Sequence, residues 1–239
     1  MSVYSMFATG VNKLLHSVGY QIIRLPTPPM NCRFKAISRN RIDLVLDIGA
    51  NTGQYAMELR KSGYKGRIVS FEPLPEAFLQ LSAHAASDPL WDVRNAAVGA
   101  EPGRLPMHVS LNSVSSSLLP ITQASVDAAP SSGTMGVVEV EVVTLQAILE
   151  SEEASRTLLK IDTQGYEWQV LAGCGEAITH ALLIDVEMSL TPLYSGQKLW
   201  DEVDPWIRSK GFRLFGMDTG FWNRDSGELL QVDGLYVRA

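Results

Sequence analysis

"LVLDIGANTG", Leu44–Gly53, is the stretch on which the fold turns. Leu44–Ile48 is an apolar run of strand length that carries one carboxylate, Asp47. Gly49, Asn51 and Gly53 then lead into a helical pattern over Gln54–Lys61. A strand that turns through glycines into a helix is the opening unit of an open α/β sheet, and the free N–H groups at such a helix start face a ligand. Gly49 permits close approach of backbone to that ligand, and Gly53 permits close packing of the helix start. The dinucleotide fingerprint is GxGxxG with a pyrophosphate on the helix N-terminus. Here the pattern is GxNxG behind an Asp, and a carboxylate at position 47 repels phosphate while it suits an ammonium group.

The same alternation continues outward from this unit. Strand-like runs are expected at Arg67–Phe71, Trp91–Val98, Thr157–Ile161, Ala181–Val186, Phe212–Gly216 and Leu229–Val237, with helices at Pro75–Ala86, Tyr166–Ala172 and Leu199–Lys210. Strand then helix, repeated, predicts a mostly parallel sheet with helices on both faces. The last two strands are separated only by "MDTGFWNRDSGE", whose Gly and Asn signals predict an antiparallel hairpin. Seven strands ending in such a hairpin make the Rossmann-like sheet of class I methyltransferases; plain dinucleotide-binding domains lack the hairpin. Residues 99–143 break the rhythm, with two short strands around a Ser/Ala-rich loop that we expect to act as a lid or substrate loop. The chain thus divides into an N-terminal helix and proline-marked linker, residues 1–40, and a domain at 41–239.

Candidate site residues fall at strand ends. Glu72 in "VSFEP" ends the second strand, where an acid accepts ribose hydroxyls from NAD and S-adenosylmethionine alike. Together with the ammonium-suited Asp47, it favours S-adenosylmethionine, with S-adenosylhomocysteine as product. Asn95 and Ala96 end the third strand candidate, on the adenine side. Asp162 ends the strand in "LLKIDTQGYEWQVLAG" and is a candidate general base for a hydroxyl, or a partner for the cofactor's cation. Glu167 assists it or caps the next helix start. Glu187 in "LLIDVEMS" faces the same cleft. With Asp162 it could take magnesium, although no metal is expected. His108, beside the loop, is the one histidine worth testing as a base. Ser115 and Ser116 in the loop, and Tyr194 and Trp222 in the aromatic C-terminal part, are candidates for the acceptor pocket.

Bulk properties narrow the classes. The chain has 239 residues, 46% hydrophobic and 19% charged, as in an ordinary globular domain. A net charge of −6 argues against nucleic acid as main partner. Cys32 and Cys174 fit reduced thiols in a cytoplasmic protein, and no apolar run is long enough to span a bilayer. Val3, Phe7, Val11, Leu14, Leu15 and Val18 recur at helical spacing. That helix is expected to pack on the domain; a contact with a membrane surface or a dimer partner is the alternative. No signal peptide is expected.

From Leu44 to the C-terminus the motifs resemble the FkbM-type family of S-adenosylmethionine-dependent methyltransferases. The residues carrying the resemblance are "VLDIGANTGQY", "FEPLPEAF", "NAAVG", "SVSSSL", "VEVVTLQAIL", "LLKIDTQGYEWQVLAG", "IDVEMS" and "LLQVDGLYV". The resemblance implies methyl transfer, usually to a hydroxyl oxygen, with natural products and deoxysugars of glycolipids as acceptors. It implies that Asp47, Gly49, Asn51 and Gly53 form the cofactor loop, Glu72 the ribose acid, and Asn95 and Ala96 the adenine side. The chain departs from the family pattern at Gln146 and Gln164, where acids are usual. The competing expectations are an NAD-dependent oxidoreductase and a non-catalytic cofactor-binding module.

Overall fold

A computed structural model describes residues 11–12, 15–16, 28–152 and 156–239. Most of the expected N-terminal helix lies outside the described residues; Val11, Asn12 and Leu15 are helical. The central sheet has seven strands, β1 (Leu44–Ile48), β2 (Arg67–Phe71), β3 (Trp91–Arg94), β7 (Thr157–Ile161), β8 (Ala181–Ser189), β9 (Phe212–Thr219) and β10 (Gln231–Arg238). Their order is β3-β2-β1-β7-β8-β10-β9. β3, β2, β1, β7 and β8 run parallel, while β10 pairs antiparallel with both β8 and β9. The parallel sheet and the terminal hairpin are therefore both present.

Why these segments are strands is plain from burial. Leu44–Ile48 and Thr157–Ile161 are buried at every position, because helices cover both faces. On one face, helices α1 (Pro28–Arg39), α2 (Gln54–Lys61) and α3 (Pro75–Ala85) pack Ala36, Ile37, Ala56, Leu59 and Leu81 onto Val45, Ile68, Leu158 and Leu183. On the other, α5 (Leu145–Ser151), α6 (Glu167–Ala172) and α7 (Trp200–Ser209) pack Ile148, Leu149, Val170, Leu171, Val203 and Ile207 onto Leu44, Leu46, Leu159 and Ile161. Trp200 and Trp206 of α7 lie against this second core.

Three expectations need correction. "RLPTPPMN" is not a linker throughout, since α1 begins at Pro28; prolines in a first turn cost no helical hydrogen bond. The strand expected over Trp91–Val98 splits at Asn95–Ala96 into β3 and β4 (Ala97–Gly99). β4 leaves the central sheet and pairs with β6 (Thr134–Thr144), which also pairs antiparallel with β5 (Gly103–Ser110). Residues 99–143 thus contribute to a second, three-stranded sheet with a small core of Leu74, Ala97, Met107, Val140 and Val142.

The serine-rich segment between β5 and β6 is not an open loop. It holds two single 3-10 turns, Ser113–Ser115 and Pro130–Ser132, and helix α4 (Gln123–Ala128). Isolated bridges tie Ser117 to His108 and Ile121 to Tyr194. Its serines satisfy backbone groups: Ser116 Oγ accepts from Ser110 N–H at 3.1 Å, Ser117 Oγ accepts from Leu119 N–H at 3.0 Å, and Ser132 Oγ donates to Ala129 C=O at 2.7 Å. Short hydroxyl side chains that bond nearby backbone fix such turns without a large core.

Candidate active site

The strand register creates the site. Ile68, Val45, Leu158 and Leu183 lie side by side across four parallel strands. Two residues toward the carboxyl edge, on the same face, the next row is Ser70, Asp47, Lys160 and Asp185. An apolar row is thus followed by a polar one where the sheet meets a cleft of about 390 Å3. That volume falls in the ~300–1,000 Å3 range of small-molecule sites, and the carboxyl edge is where open α/β sheets bind ligands.

The glycine loop is shaped by its neighbours in the fold. Gly49 has φ of +83°, and a Cβ there would stand 1.8 Å from the Asp162 carbonyl oxygen. The glycine is therefore required by the approach of the chain after β7, whatever ligand the loop meets. Gly53, with φ of +93°, abuts Leu81 and Trp91, so the start of α2 packs closely. Asn51 lies at φ of +48°, a conformation that Asn tolerates better than most residues. Its side-chain oxygen accepts from Thr52 N–H at 2.8 Å, and its amide donates to Ser113 Oγ at 3.2 Å.

Glu72 is anchored by this loop. One carboxylate oxygen accepts from Asn51 N–H at 2.9 Å and the other from Leu74 N–H at 2.8 Å. Burial nevertheless pushes its pKa up to about 7. Asp47 is buried and accepts from Ser70 Oγ–H at 2.9 Å, and that serine in turn accepts from Trp91 Nε1–H at 3.0 Å. Burial raises Asp47 to about 6.

Asp162, Gln164 and Glu187 form the far side. Gln164 donates to Asp162 Oδ1 and Glu187 Oε2, each at 2.9 Å, and Gln231 also donates to Glu187 Oε2 at 2.7 Å. The Lys160 ammonium lies 3.4 Å from both Asp162 Oδ2 and Asp233 Oδ1. Burial works against that charge, but the surrounding carboxylates outweigh it and hold Lys160 protonated. Burial and the nearby Asp162 push Glu187 well above the ordinary carboxylate range. Gln164 and Lys160 engage the two Asp162 oxygens, Gln164 and Gln231 both donate to Glu187 Oε2, and among the described residues no group of three or more His, Cys, Asp or Glu side chains is placed to hold a metal ion.

The cleft is lined by Asp47, Gly49, Asn51, Glu72, Ala96, Asp162, Ser116 and Glu187 among the residues singled out from sequence. The others lie off it. Asn95 instead donates to the Glu72 and Pro73 carbonyls at 2.8 and 3.1 Å, fixing the turn after β2. Glu167 is buried and accepts from Thr163 N–H at 2.9 Å, Thr163 Oγ1–H at 3.2 Å and Gly165 N–H at 3.1 Å, so it caps the loop before its own helix. His108 sits within β5, paired opposite Val137. Ser115 presents its carbonyl to the Tyr194 hydroxyl at 3.1 Å. Tyr194 is itself buried in a small core with Leu193 and Leu230. Trp222 is 44% exposed and bridges to Leu229. Among the lining residues not anticipated are Arg33, Tyr55, Glu58, Lys160 and Asp233. A lysine inside the apolar run "TLLKI" was the available signal.

Six carboxylates, of Asp47, Glu58, Glu72, Asp162, Glu187 and Asp233, line the cleft against two cations, Arg33 and Lys160. The burial of carboxylates, in the cleft and at Glu167 beside it, has a consequence for stability. Burial raises Asp47, Glu72 and Glu167 from ordinary values of 3.8, 4.5 and 4.5 to about 6, 7 and 7 in the folded chain. Between about pH 4 and pH 7 the folded state therefore holds more protons than the unfolded one, and stability falls as pH rises through that window. The ligand-free protein is expected to melt at a higher temperature near pH 5.5 than near pH 7.5. Calorimetric scans at the two values decide this, and a higher Tm at the alkaline value contradicts it.

Comparison with known proteins bears on the family and the fold. The family model described as methyltransferase FkbM domain matches residues 47–214. No curated relative matches the chain. Among solved structures, a methyltransferase FkbM from Methylobacillus flagellatus KT superposes with a TM-score of 0.51 at 14% identity, over 81% of this chain and 43% of that one. This chain thus spans less than half the length of that protein. TehB from Haemophilus influenzae superposes with a TM-score of 0.47 at 10% identity, over 86% of this chain and 61% of that one.

Proposed function

The chain belongs to the FkbM-domain methyltransferases, and from that premise we propose that it is an S-adenosylmethionine-dependent O-methyltransferase acting on a sugar hydroxyl, of a glycolipid or natural product, in the cytoplasm or at the inner membrane surface. The observation that carries the cofactor reading is the acid-rich cleft, in which the Glu72 carboxylate is held toward the cavity by two backbone amides. Such a wall disfavours the pyrophosphate of NAD and favours a ligand bearing sulfonium and ammonium charges. Glu72 would accept the ribose hydroxyls. Phe71, Leu74, Ala96, Ala97 and Met107 supply an apolar slot beside it, suited to a flat base. Asp47 would accept the ammonium.

When bound, S-adenosylmethionine supplies a methyl group on a good leaving group, so the protein's task is to align the acceptor and take its proton. Asp162 would accept the hydroxyl proton as the new C–O bond forms. Gln164 fixes the orientation of that carboxylate by bridging it to Glu187. The Lys160 ammonium lies 3.4 Å from the second Asp162 oxygen. Ser116 and Glu187, which line the same cleft, offer hydrogen-bond partners to a hydroxyl-bearing acceptor. No helix among the described residues is long and apolar enough to cross a membrane.

Titration calorimetry tests the cofactor: S-adenosylhomocysteine is expected to bind and NADH to give no heat. Tight NADH binding without S-adenosylhomocysteine binding would overturn the reading. For the acceptor, mass spectrometry of extracts from a deletion strain is expected to reveal a glycolipid or metabolite lighter by one methylene group. Finding that deficit in no sugar-containing species counts against sugar methylation.

A further inference from the structure

Arg33 enters the cleft from α1, outside residues 47–214 that carry the family match. Its Nε–H donates to Asp185 Oδ2 at 2.6 Å, and the Tyr55 hydroxyl donates to the same oxygen at 3.0 Å. The guanidinium also lies 5.6 Å from the Tyr55 ring centroid. Asp185 is fully buried, so the pair is fixed in place at the floor of the sheet. This grip engages Nε alone. Among the described residues, no hydrogen bond reaches the two terminal guanidinium nitrogens, although the side chain is only 15% exposed. A mostly buried guanidinium with its fork unfilled is a site for a planar anion, because carboxylates match that fork with two parallel bonds.

The charge inventory narrows which anion. Lys160, the other cation of the cleft, lies within 3.4 Å of both Asp162 and Asp233. A ligand carboxylate therefore finds in Arg33 a cation whose two terminal nitrogens are both unused, whereas the Lys160 charge is already shared between two carboxylates. The sheet order supplies the span: Glu72 follows β2 on one side of β1, while Asp185, which holds Arg33, is on β8 beyond β7. A ligand whose ribose meets Glu72 and whose chain runs across β1 toward β8 brings its far end to α1.

We propose that Arg33 binds the carboxylate of the amino-acid tail of the methyl donor, so that α1 completes the cofactor site. This rests on the proposed use of S-adenosylmethionine. It assigns the zwitterionic tail to two opposite partners, the ammonium to Asp47 and the carboxylate to Arg33.

Calorimetry with S-adenosylhomocysteine and with its analogue lacking the carboxylate tests it, without acceptor present. Wild-type protein is expected to bind the complete ligand about ten- to a hundredfold tighter than the analogue, as a charge-assisted contact implies. Arg33→Met is expected to lose most of that ratio while binding the analogue nearly as well as wild type. Arg33→Lys keeps the charge beside Asp185 but not the fork, and is expected to lower the ratio at least about threefold. If wild-type protein binds both ligands equally, the inference is wrong and a carboxylate on Arg33 comes from the acceptor or not at all. If Arg33→Met weakens both ligands by the same factor, the residue is only structural and the inference also falls. If S-adenosylhomocysteine does not bind wild type, the cofactor reading itself is wrong. Should Arg33→Met not fold, the wild-type ratio and Arg33→Lys decide.

Discussion

Lys160→Met is expected to destabilise the folded protein by about 3–5 kcal/mol near neutral pH, the usual cost of removing one partner from a buried ion pair. The lysine is 8% exposed and lies 3.4 Å from Asp162 and Asp233, with Asp47 and Asp185 directly beside it in register on β1 and β8. Methionine fills the volume but leaves an acidic wall with Arg33 as its one remaining cation. The carboxylates then relieve their repulsion by taking up protons. Asp47, Glu187 and Asp233, whose folded-state pKa values are already raised and which Lys160 holds down, are pushed further up, and stability is lost more steeply as pH increases. The variant should therefore approach wild type in acid and diverge from it toward neutrality. Urea unfolding of both proteins near pH 5.5 and pH 7.5 measures this. Equal stability at the higher pH would show that Lys160 does not hold the carboxylates together.

The same row of residues shows how far the sequence is legible. β1, β7 and β8 are evident as apolar runs because a sheet covered on both faces demands them. Glu72 and Asp162 are evident because they directly follow β2 and β7, and Asp47 because it stands just before the glycine turn. Lys160 and Asp185 stand inside strands, so their purpose appears only when the parallel register sets them side by side. Asp233 and Arg33 depend on more distant folding events, the antiparallel return of β10 and the placement of α1. Proline pairs that mark a linker in one context start α1 in another, and local pattern does not separate the two. Gly49 was legible as a tight spot, but its neighbour is the Asp162 carbonyl, a contact between residues far apart in the chain. Tyr194 and Trp222 illustrate the opposite limit: aromatic residues in loops look like pocket walls until packing buries one and leaves the other outside.

Asp162→Asn should lower the rate of methyl transfer by about 10^2–10^4-fold, the range that a positioned general base contributes. The substitution keeps shape and a carbonyl oxygen able to accept from Gln164, so the bridge to Glu187 survives. It removes the carboxylate at the end of β7 that lines the cleft, the proposed acceptor of the proton of an attacking hydroxyl. Glu187 is a poor substitute, because its Oε2 already accepts from both Gln164 and Gln231 and burial favours its protonated form. Glu167 is committed to the Thr163 and Gly165 amides. In the proposed site the cofactor is held mainly by Glu72, Asp47 and the glycine loop, so S-adenosylhomocysteine binding should change by less than about tenfold, equivalent to ~1.4 kcal/mol. Single-turnover transfer and calorimetry on the same preparation separate the two effects. A variant that transfers the methyl group at the wild-type rate would remove Asp162 from the chemistry. A variant that binds cofactor a hundredfold more weakly, with an unchanged rate at saturation, would reassign the residue to holding the methyl donor.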